Sequence, residues 1–552
     1  MAGGHLERYA QVAETLGRHG VGLALGLTGL PRWAPRRGPD GHERHTSPEH
    51  LRLALEELGP VFIKLGQALS TRPDLLPSAY REELARLQDD APPVPAPAIA
   101  ATIESELGAP PAEVFAAFDP VPLASASLGQ AHAATLPDGT EVVIKVRKPG
   151  IVEQVDLDLE IISNLAAGAV QHWDAAADYD VAGLADEFAR TLRTELDYLA
   201  EGRNADRFRA NFASDPGIHI PRVHWETTTS RVLTLGRIRG VKVDDLERLD
   251  AAGIDRSALA RRSAEALAKM VFEDGFFHAD PHAGNLFIEP DAALPGGRIG
   301  LIDFGMVGSL GRELRDGLAE LLIALSRKDN RAAAWALAEL SAGRGRPDLT
   351  RLASDLGAVT RLYQDRSLAE VPVGAVVREL TRTVRRNRLQ LPRELALLLR
   401  MLVMAEGMGV TLDPDFQFAA VVGPYAEALA FERFAPPAVA RRISHAGGEL
   451  LDAAAHLPRQ LRAIQEALDR GGPELTLRRE DLDRLTSHVD AAAQRIVAAT
   501  LAAAFIRGIG EVLASEPGGR ARALRKALVA AGFASAGSLA AYLAWAGRRR
   551  RP

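Results

Sequence analysis

Two short motifs near the middle of the chain constrain its fold more than any other feature. The first occupies residues 277–285 and places Asn285 five positions after Asp280. The second places Asp303 before a phenylalanine and a glycine, directly after residues 298–302, which are uncharged from 299 onward and predict a buried strand. Transfer of a γ-phosphoryl group needs a carboxylate near the attacking oxygen and oxygen ligands for the magnesium that bridges the phosphates. Asp280 fits the first requirement, and Asn285 and Asp303 fit the second.

The order of these residues is that of the catalytic loop and the metal loop of protein kinases. A second interpretation uses the same segment, because His278, Asp280 and His282 alternate along the chain as the ligands of a hydrolytic zinc site do. An isolated Asp-Phe-Gly triplet would be weak evidence for a kinase-type site, since such triplets occur in ordinary loops. The predicted strand that leads into Asp303 favours phosphoryl transfer over the zinc site.

A kinase-type site also needs an upstream lysine for the α- and β-phosphates, on a strand with a Val-Ala-Ile-Lys pattern. Residues 142–145 have the sequence Val-Val-Ile-Lys, which makes Lys145 the candidate. The preceding Leu-Pro-Asp-Gly-Thr at 136–140 predicts a turn between two apolar segments. Lys145 is therefore predicted on the third strand of an antiparallel meander.

The segment before Lys145 should cover the phosphates, a task for which protein kinases use G-x-G-x-x-G. This chain has small residues there, which allow close backbone approach to phosphate but lack the positive-φ freedom of glycine. We expect this loop to be stiffer than a kinase loop. The candidate nucleotide-binding residues besides Lys145 are Pro122, Leu123, Ala124, Ser125, Ala126, Ser127, Leu128, Gly129 and Gln130.

With these motifs the chain resembles the UbiB/AarF family of atypical kinase-like proteins. Residues 62–67 are similar to the K-x-G-Q signature of that family, and 194–204 resemble its E-x-D segment, on the helix equivalent to the kinase αC. The alanine-rich loop and the His-x-Asp-Pro-His-x-Gly-Asn form of the catalytic loop are two further similarities. Gly202 is less favourable than alanine in a helix by about 1 kcal/mol. The residue at which the αC-like helix ends therefore stays undecided at this point.

The resemblance implies roles for Lys64 and Gln67, on a helix that lies across the region where a kinase would bind its peptide substrate. Such a lid would disfavour protein substrates. The resemblance also implies that Lys64 pairs with the cluster of Glu195 and Asp197.

Glu201 lies about two helical turns beyond Glu195 and is the preferred partner of Lys145. The reverse assignment of Glu195 and Glu201 stays open at this point.

These features predict an α+β chain with a two-lobed protein-kinase-like fold. The small lobe would hold an antiparallel sheet and the large lobe would be mainly helical, with a helical extension before them and more helices after them. The predicted boundaries are 1–48 for an N-terminal helical segment and linker, 49–118 for the K-x-G-Q extension, 119–240 for the small lobe, 241–435 for the large lobe, 436–515 for a C-terminal helical region and 516–552 for a membrane-anchor helix with basic flanks.

Composition narrows the class of partners. The 552 residues are 47% hydrophobic and 25% charged, as in globular proteins, and the net charge of −6 gives no indication of nucleic-acid binding. The chain has no cysteine, which excludes disulfides, thiol catalysis and cysteine metal sites.

The C-terminal stretch 527–547 contains no charged residue and is about long enough for a bilayer core of ~30 Å. Basic clusters flank it on both sides, so the positive-inside rule does not orient it. The alternative is a buried or amphipathic helix, because the stretch is rich in alanine and glycine. Since the N-terminus shows no convincing signal peptide, we expect the catalytic part at the cytoplasmic face of the membrane.

Three functions are consistent with this sequence. The preferred one is an enzyme that binds ATP and Mg²⁺ and acts on a small-molecule or lipid-associated substrate. The family resemblance then implies isoprenoid-quinone biosynthesis, of ubiquinone or menaquinone, or membrane lipid homeostasis, with membrane lipid and quinone-biosynthesis enzymes as partners. The alternatives are an ATP-binding scaffold that organises membrane enzymes without phosphoryl transfer and an ordinary Ser/Thr protein kinase.

Overall fold

The structure of the chain is a computed structural model. It describes residues 2–19, 48–70, 72, 75–87, 91–172, 180–341, 347–362, 371–387 and 389–432. All of them belong to one unit that spans 1–433. The predicted C-terminal helical region and membrane anchor, 436–552, lie outside the described residues, as does most of the predicted N-terminal linker.

The described residues form a mixed α/β structure. The strands are β1 (Ala117–Ser125), β2 (Gly129–Thr135), β3 (Glu141–Arg147), β4 (Ile218–His219), β5 (Val232–Gly236), β6 (Val241–Lys242), β7 (Phe276–His278), β8 (Leu286–Asp291), β9 (Leu294–Leu301) and β10 (Val307–Ser309). The helices are α1 (Ala2–Arg18), α2 (Pro48–Leu58), α3 (Pro60–Ser70), α4 (Ser78–Leu84), α5 (Ala96–Leu107), α6 (Pro111–Val114), α7 (Ile151–His172), α8 (Val181–Glu195), α9 (Tyr198–Asn211), α10 (Leu246–Ala251), α11 (Arg256–Ala268), α12 (Arg312–Ser326), α13 (Asn330–Glu339), α14 (Leu349–Leu362), α15 (Val373–Arg386), α16 (Arg393–Leu412) and α17 (Phe418–Glu432).

The small lobe is built on an antiparallel sheet with the strand order β1-β2-β3-β5. The turn between β2 and β3 closes with the backbone N–H of Leu136 on the carbonyl oxygen of Thr140 at 2.9 Å. Gly139 has φ +87° there, a conformation that glycine adopts without a Cβ penalty. Alternate residues of β3, among them Val142 and Ile144, are fully buried, which leaves Lys145 on the opposite face. The predicted meander with Lys145 on its third strand is present.

The large lobe carries more strands than the sequence predicted. The sequence predicts a mainly helical large lobe with one buried strand before Asp303, but β7 to β10 flank the catalytic loop and the metal loop. The catalytic loop and the metal loop are connected at their ends to the sheet β4-β9-β8-β6 and to the pair β10-β7. β7 and β10 have three residues each, which leaves too few positions for a period-2 pattern. The predicted buried strand before Asp303 is β9, in which Ile299 and Leu301 are buried.

The E-x-D segment does not lie on one helix, contrary to the sequence-based expectation. Helix α8 ends at Glu195, and α9 begins at Tyr198. Asp197 separates them because its side chain accepts a hydrogen bond from the backbone N–H of Leu199 and caps α9. Gly202 does not end the helix. It lies inside α9, where a Cβ would approach Trp225 to 2.9 Å, so glycine permits close packing.

The N-terminal extension has its own hydrophobic core. Val12 of α1, Leu58 of α2 and Phe62 of α3 are buried together with residues of α7 and α8. Arg8 of α1 forms a hydrogen-bonded ion pair with the buried Asp158 of α7, at 2.7 Å from Nε to Oδ1. The extension is therefore packed on the small-lobe helices.

Helix α16 crosses the large lobe. Within the part of the chain that the structure describes, it is the helix whose length and mean hydropathy of 1.7 would suit a membrane span. Half of that window is buried inside the protein, and α16 packs on α11 and α15. Its apolar residues are therefore accounted for by the core of the lobe.

Candidate active site

The predicted nucleotide-binding lysine lies in a cluster of three ionisable side chains. Lys145 of β3 donates from Nζ to Glu201 Oε1 of α9, and the same Nζ lies 3.4 Å from Asp303 Oδ2. Only 19% of the Lys145 side chain and 9% of the Glu201 side chain are exposed. The backbone N–H of Phe304 also donates to Glu201 Oε1, at 3.3 Å. The cluster joins the small-lobe sheet, α9 and the metal loop.

Burial and the neighbouring charges shift the pKa values of this cluster in opposite directions. Burial alone would raise the pKa of Asp303, but Lys145, the backbone N–H of Gly305 and more distant Lys64 hold that pKa well below its ordinary value. Burial raises the pKa of Glu201, and the positive charge of Lys145 opposes the shift. For Lys145, burial would lower the pKa, but the two carboxylates raise it above its ordinary value. Lys145 and Asp303 are thus charged at neutral pH.

Lys64 lies opposite the other glutamate. Its Nζ is 3.4 Å from Glu195 Oε2, with 17% and 15% of the two side chains exposed. Asp197 is instead engaged in capping α9, and its Oδ2 lies 3.6 Å from Arg203. In this geometry Glu201 faces Lys145 and Glu195 faces Lys64.

Gln67 lies on the same helix as Lys64 but in a different environment. Its side-chain amide donates to the carbonyl oxygen of Leu87 at 3.1 Å. That contact ties α3 to the residues after α4. It does not bring Gln67 into the cluster around Lys145.

The alanine-rich loop between β1 and β2 is a tight connection. The N–H of Ala126 donates to the carbonyl oxygen of Gly129 at 2.9 Å. A Cβ on Gly129 would lie 2.1 Å from Tyr198 Oη and 2.9 Å from the carbonyl oxygen of Val146, so only glycine fits. The hydroxyl of Ser125 is buried without a hydrogen-bond partner in the described part of the chain. A buried hydroxyl of this kind suits a phosphate oxygen as acceptor.

The structure does not bring all predicted loop residues to the same place. Gln130 is buried, and its Oε1 accepts a hydrogen bond from the backbone N–H of Val94. Its side chain therefore fixes the segment before α5, and its contact with nucleotide stays a prediction. Leu123 is 51% exposed on β1, a strand with irregular pairing around Pro122 and Ala124. The compact part of the loop comprises Ser125, Ala126, Ser127, Leu128 and Gly129.

His278 connects the catalytic loop to the metal loop. Its Nδ1 accepts a hydrogen bond from the backbone N–H of Asp280 at 3.2 Å, so the proton is on Nε2, which donates to the carbonyl oxygen of Asp303. Burial lowers the pKa of His278 and favours this neutral form. Both ring nitrogens are used, and the described residues contain no group of three His, Cys, Asp or Glu side chains arranged to hold a metal. The zinc interpretation is therefore rejected for this segment.

Asn285 and Asp303 suit magnesium as a pair of oxygen ligands. The backbone N–H of Ile302, next to Asp303, donates to the carbonyl oxygen of Asn285 at 3.2 Å, so the two residues are neighbours. The Asn285 side chain donates from Nδ2 to the carbonyl oxygen of Asp280 at 3.2 Å, which leaves its Oδ1 as an acceptor. Magnesium prefers carboxylate and carbonyl oxygens. The side-chain oxygen atoms of Asn285 and Asp303 therefore suit Mg²⁺.

The predicted catalytic aspartate has a partner that the sequence did not reveal. Arg400 of α16 donates from Nη2 to Asp280 Oδ1 at 2.9 Å, and 27% and 24% of the two side chains are exposed. His282 Nε2 lies 3.9 Å from Asp280 Oδ2. Arg400 is 120 positions away and belongs to no motif recognised in the sequence. No local sequence signal identifies Arg400, because α16 is an apolar helix whose residues mostly serve the core.

Comparisons with known proteins agree with this geometry. Residues 86–337 match the model of the ABC1 atypical kinase-like domain, and 356–417 match that of the UbiB helical domain. The probable protein kinase UbiB of Xanthomonas oryzae pv. oryzae is 37% identical over 81% of this chain and 82% of its own length. The chain belongs to the UbiB family of atypical kinase-like proteins. The fold is accordingly protein-kinase-like.

Two further similarities were found. The probable protein kinase UbiB of Marinobacter nauticus is 36% identical over 77% of this chain and 78% of its own length. Among solved structures, the complex of Rv3197 with erythromycin from Mycobacterium tuberculosis is similar, with 27% identity and a TM-score of 0.47 over 68% of this chain and 94% of that chain.

The UbiB helical domain of this chain is also attached to the N-terminal extension. Arg72 donates to the carbonyl oxygen of Leu391, just before α16, at 3.3 Å. Arg385 at the end of α15 donates to the carbonyl oxygen of Leu76 at 3.2 Å. Glu187 of α8 lies 3.8 Å from Arg72 and 3.8 Å from Arg393. The extension therefore joins α8 to the helices that carry Arg400.

Proposed function

We propose that this UbiB-family chain binds ATP and Mg²⁺ between its lobes and transfers the γ-phosphoryl group to water or to a small-molecule or lipid-associated acceptor. The observation that carries this proposal is the cluster of Lys145, Glu201 and Asp303. A buried lysine held by a glutamate of the αC-like helix, beside the aspartate of the metal loop, is the arrangement that protein kinases need for activity.

Each residue of the candidate active site would have a separate role in phosphoryl transfer. Lys145 would bind the α- and β-phosphates, while Ser125 and the backbone of the tight loop cover them. Asn285 and Asp303 would hold magnesium, which supplies positive charge to the phosphate oxygens when bound. Asp280 would accept the hydrogen bond of the attacking hydroxyl and orient it. Since Lys145 is charged at neutral pH, it stabilises negative charge throughout the reaction.

The extension supports an acceptor other than a protein. Helix α3 is fixed to α8 through Lys64 and Glu195, and the residues after it are fixed to the large lobe through Arg72 and Arg385. A peptide substrate would have to compete with these contacts. A small molecule or the head group of a lipid requires less space.

The proposal extends to the cellular role. Two observations support a site of action at the cytoplasmic face of a membrane. They are the UbiB name of the relatives and the apolar stretch 527–547. There the chain would assist isoprenoid-quinone biosynthesis, of ubiquinone or menaquinone, or membrane lipid homeostasis. Membrane lipid and quinone-biosynthesis enzymes would be its partners.

The test of the catalytic proposal is ATP turnover by the full-length protein in mild detergent with Mg²⁺. Asp303→Asn should lower turnover at least about 100-fold, because it removes a magnesium ligand at the site of developing charge. Asp280→Asn should lower turnover while nucleotide binding persists. Turnover that is unchanged in both variants would reject the proposal. Nucleotide binding without turnover in the wild-type protein would indicate the scaffold instead.

Membrane attachment is tested separately. Deletion of residues from 520 onward should release the protein from membranes. Full-length protein that is extracted by high salt without detergent would reject the anchor.

A further inference from the structure

Helix α16 presents one face to the catalytic loop. Arg400, Met404 and Met408 are four residues apart, so they lie above one another on this face. Arg400 binds the carboxylate of Asp280, as described above. The two methionines continue the same face beyond it and line a cavity.

The cavity has a volume of about 230 Å³ and lies between α16 and the catalytic loop. Its walls are mostly apolar, and its two methionines are flexible side chains that adapt to ligands of different shape. Asp244 and Thr411 are exposed and mark its opening to solvent. The lining residues are Val243, Asp244, Pro281, His282, Ala283, Met404, Met408, Thr411 and Leu412.

The cavity is continuous with the catalytic loop at its polar end. Pro281 and His282, which line it, directly follow Asp280 in sequence. Asp244 places a carboxylate at the opening of this mostly apolar space, which disfavours an anionic ligand. A neutral hydroxyl group, by contrast, can donate a hydrogen bond to Asp280. The guanidinium of Arg400, 2.9 Å from Asp280 Oδ1, supplies positive charge beside the phosphoryl group that such a hydroxyl would receive.

We propose that this cavity binds the phosphoryl acceptor, and that the acceptor is a neutral molecule with an apolar chain or ring and a hydroxyl group. This inference rests on the proposed function. The hydroxyl oxygen would attack the γ-phosphorus while the bond from that phosphorus to the β-bridging oxygen breaks. The hydroxyl proton passes through Asp280 to solvent, and ADP and the phosphate monoester are released. The volume is below the ~300–1,000 Å³ typical of drug-sized ligands, so only the hydroxyl-bearing part would be enclosed.

The first experiment maps the site with an octan-1-ol that carries a photoreactive diazirine, applied to full-length protein. Label is expected on residues 404–412 and 281–283, with competition by unlabelled octan-1-ol. Met408→Trp should fill the cavity and lower labelling at least fivefold. Thr411→Trp at the exposed opening should do the same with little risk to folding. Val410→Trp is the matched control, because Val410 is on the same helix, 45% exposed and not part of the lining.

The second experiment separates this inference from the proposed function. ATP turnover is measured with increasing octan-1-ol, and phosphorylated octanol is sought by mass spectrometry. The alcohol should stimulate wild-type and Val410→Trp turnover, and this response should be lost in the two cavity variants. Turnover that depends on Asp303, with label outside the cavity or unaffected by the cavity variants, would overturn the inference and leave the proposed function intact. Specific label without any turnover would reject the acceptor role and the proposed function together.

Discussion

The two ends of the catalytic cleft are built differently. The nucleotide end consists of Lys145, Glu201 and Asp303, and its central ion pair is largely buried between a strand and a helix. The acceptor end consists of Asp280, His282 and Arg400, whose side chains are 24%, 48% and 27% exposed. A charge that loses its partner is costly when it is buried and inexpensive when water can reach it.

The difference predicts different consequences of substitution. At the nucleotide end, fold stability and ligand binding depend on the same contacts. At the acceptor end, the contacts can change with the ligand while the fold remains. Substitutions at the nucleotide end should therefore lower stability and affinity together, and substitutions at the acceptor end should mainly lower the rate.

The largest effect is expected for Lys145→Met. Glu201 would remain buried without its cation, which should lower the free energy of unfolding by about 3–5 kcal/mol. ATP binding should be lost as well. Chemical denaturation and calorimetric titration with Mg-ATP measure the two effects. In Lys145→Met/Glu201→Met much of the stability should return while binding stays absent, and a double variant as unstable as the single one would show that the ion pair is not the cause.

Gly129→Ala should have the next largest effect. The new methyl group would collide with Tyr198 Oη at 2.1 Å and the carbonyl oxygen of Val146 at 2.9 Å. Overpacking of this kind costs about 1–3 kcal/mol. Tyr198 begins α9, so its displacement should also shift Glu201 and weaken ATP binding. Tyr198→Phe combined with Gly129→Ala should recover part of both losses, and equal losses with and without the tyrosine hydroxyl would contradict the steric explanation.

The same two ends show what the sequence could predict. The nucleotide end depends on patterns within short segments: Lys145 after a turn, Glu201 in a charged helical segment, and Asp303 after a buried strand. Each pattern lies next to the residue that it identifies, so their positions could be predicted. The break at Asp197 was missed because a capping aspartate and a helix-surface aspartate look alike until the backbone is known.

The acceptor end could be predicted only in part. Asp280 and Asn285 are separated by five positions in one loop and were recognised from that spacing. Arg400 reaches Asp280 because α16 packs across the large lobe. The two residues are 120 positions apart in sequence, so no local sequence pattern could predict their contact. The hydrogen bond of Gln130 to Val94 was likewise not predicted, since it depends on how the segment before α5 packs against β2.

Arg400→Gln should affect rate more than stability. Loss of the guanidinium leaves Asp280 less well oriented, and misplacement of a catalytic group can lower turnover about 10–100-fold. The free energy of unfolding should change by no more than about 1 kcal/mol, because the pair is partly exposed. Steady-state kinetics and nucleotide titration should show a lower kcat with an ATP affinity within twofold of the wild type.

The control for Arg400 is restoration of the positive charge. Arg400→Lys should retain more activity than Arg400→Gln, and added guanidinium ion should partly restore turnover to Arg400→Ala. A variant that loses nucleotide affinity in proportion to kcat would show that the two ends are not separable.

The smallest effect is expected where the extension meets the helical domain. Arg385→Met removes the hydrogen bond to the carbonyl oxygen of Leu76 and should cost about 0.5–1.5 kcal/mol. Hydrogen exchange should accelerate around residues 75–80, and the exposed neighbouring variant Arg386→Met should not show this change. Because the contact lies on the domain that carries Arg400, we expect an altered kcat and an unaltered ATP affinity. Faster exchange in the loop between β1 and β2 would instead mean that the extension controls the nucleotide end.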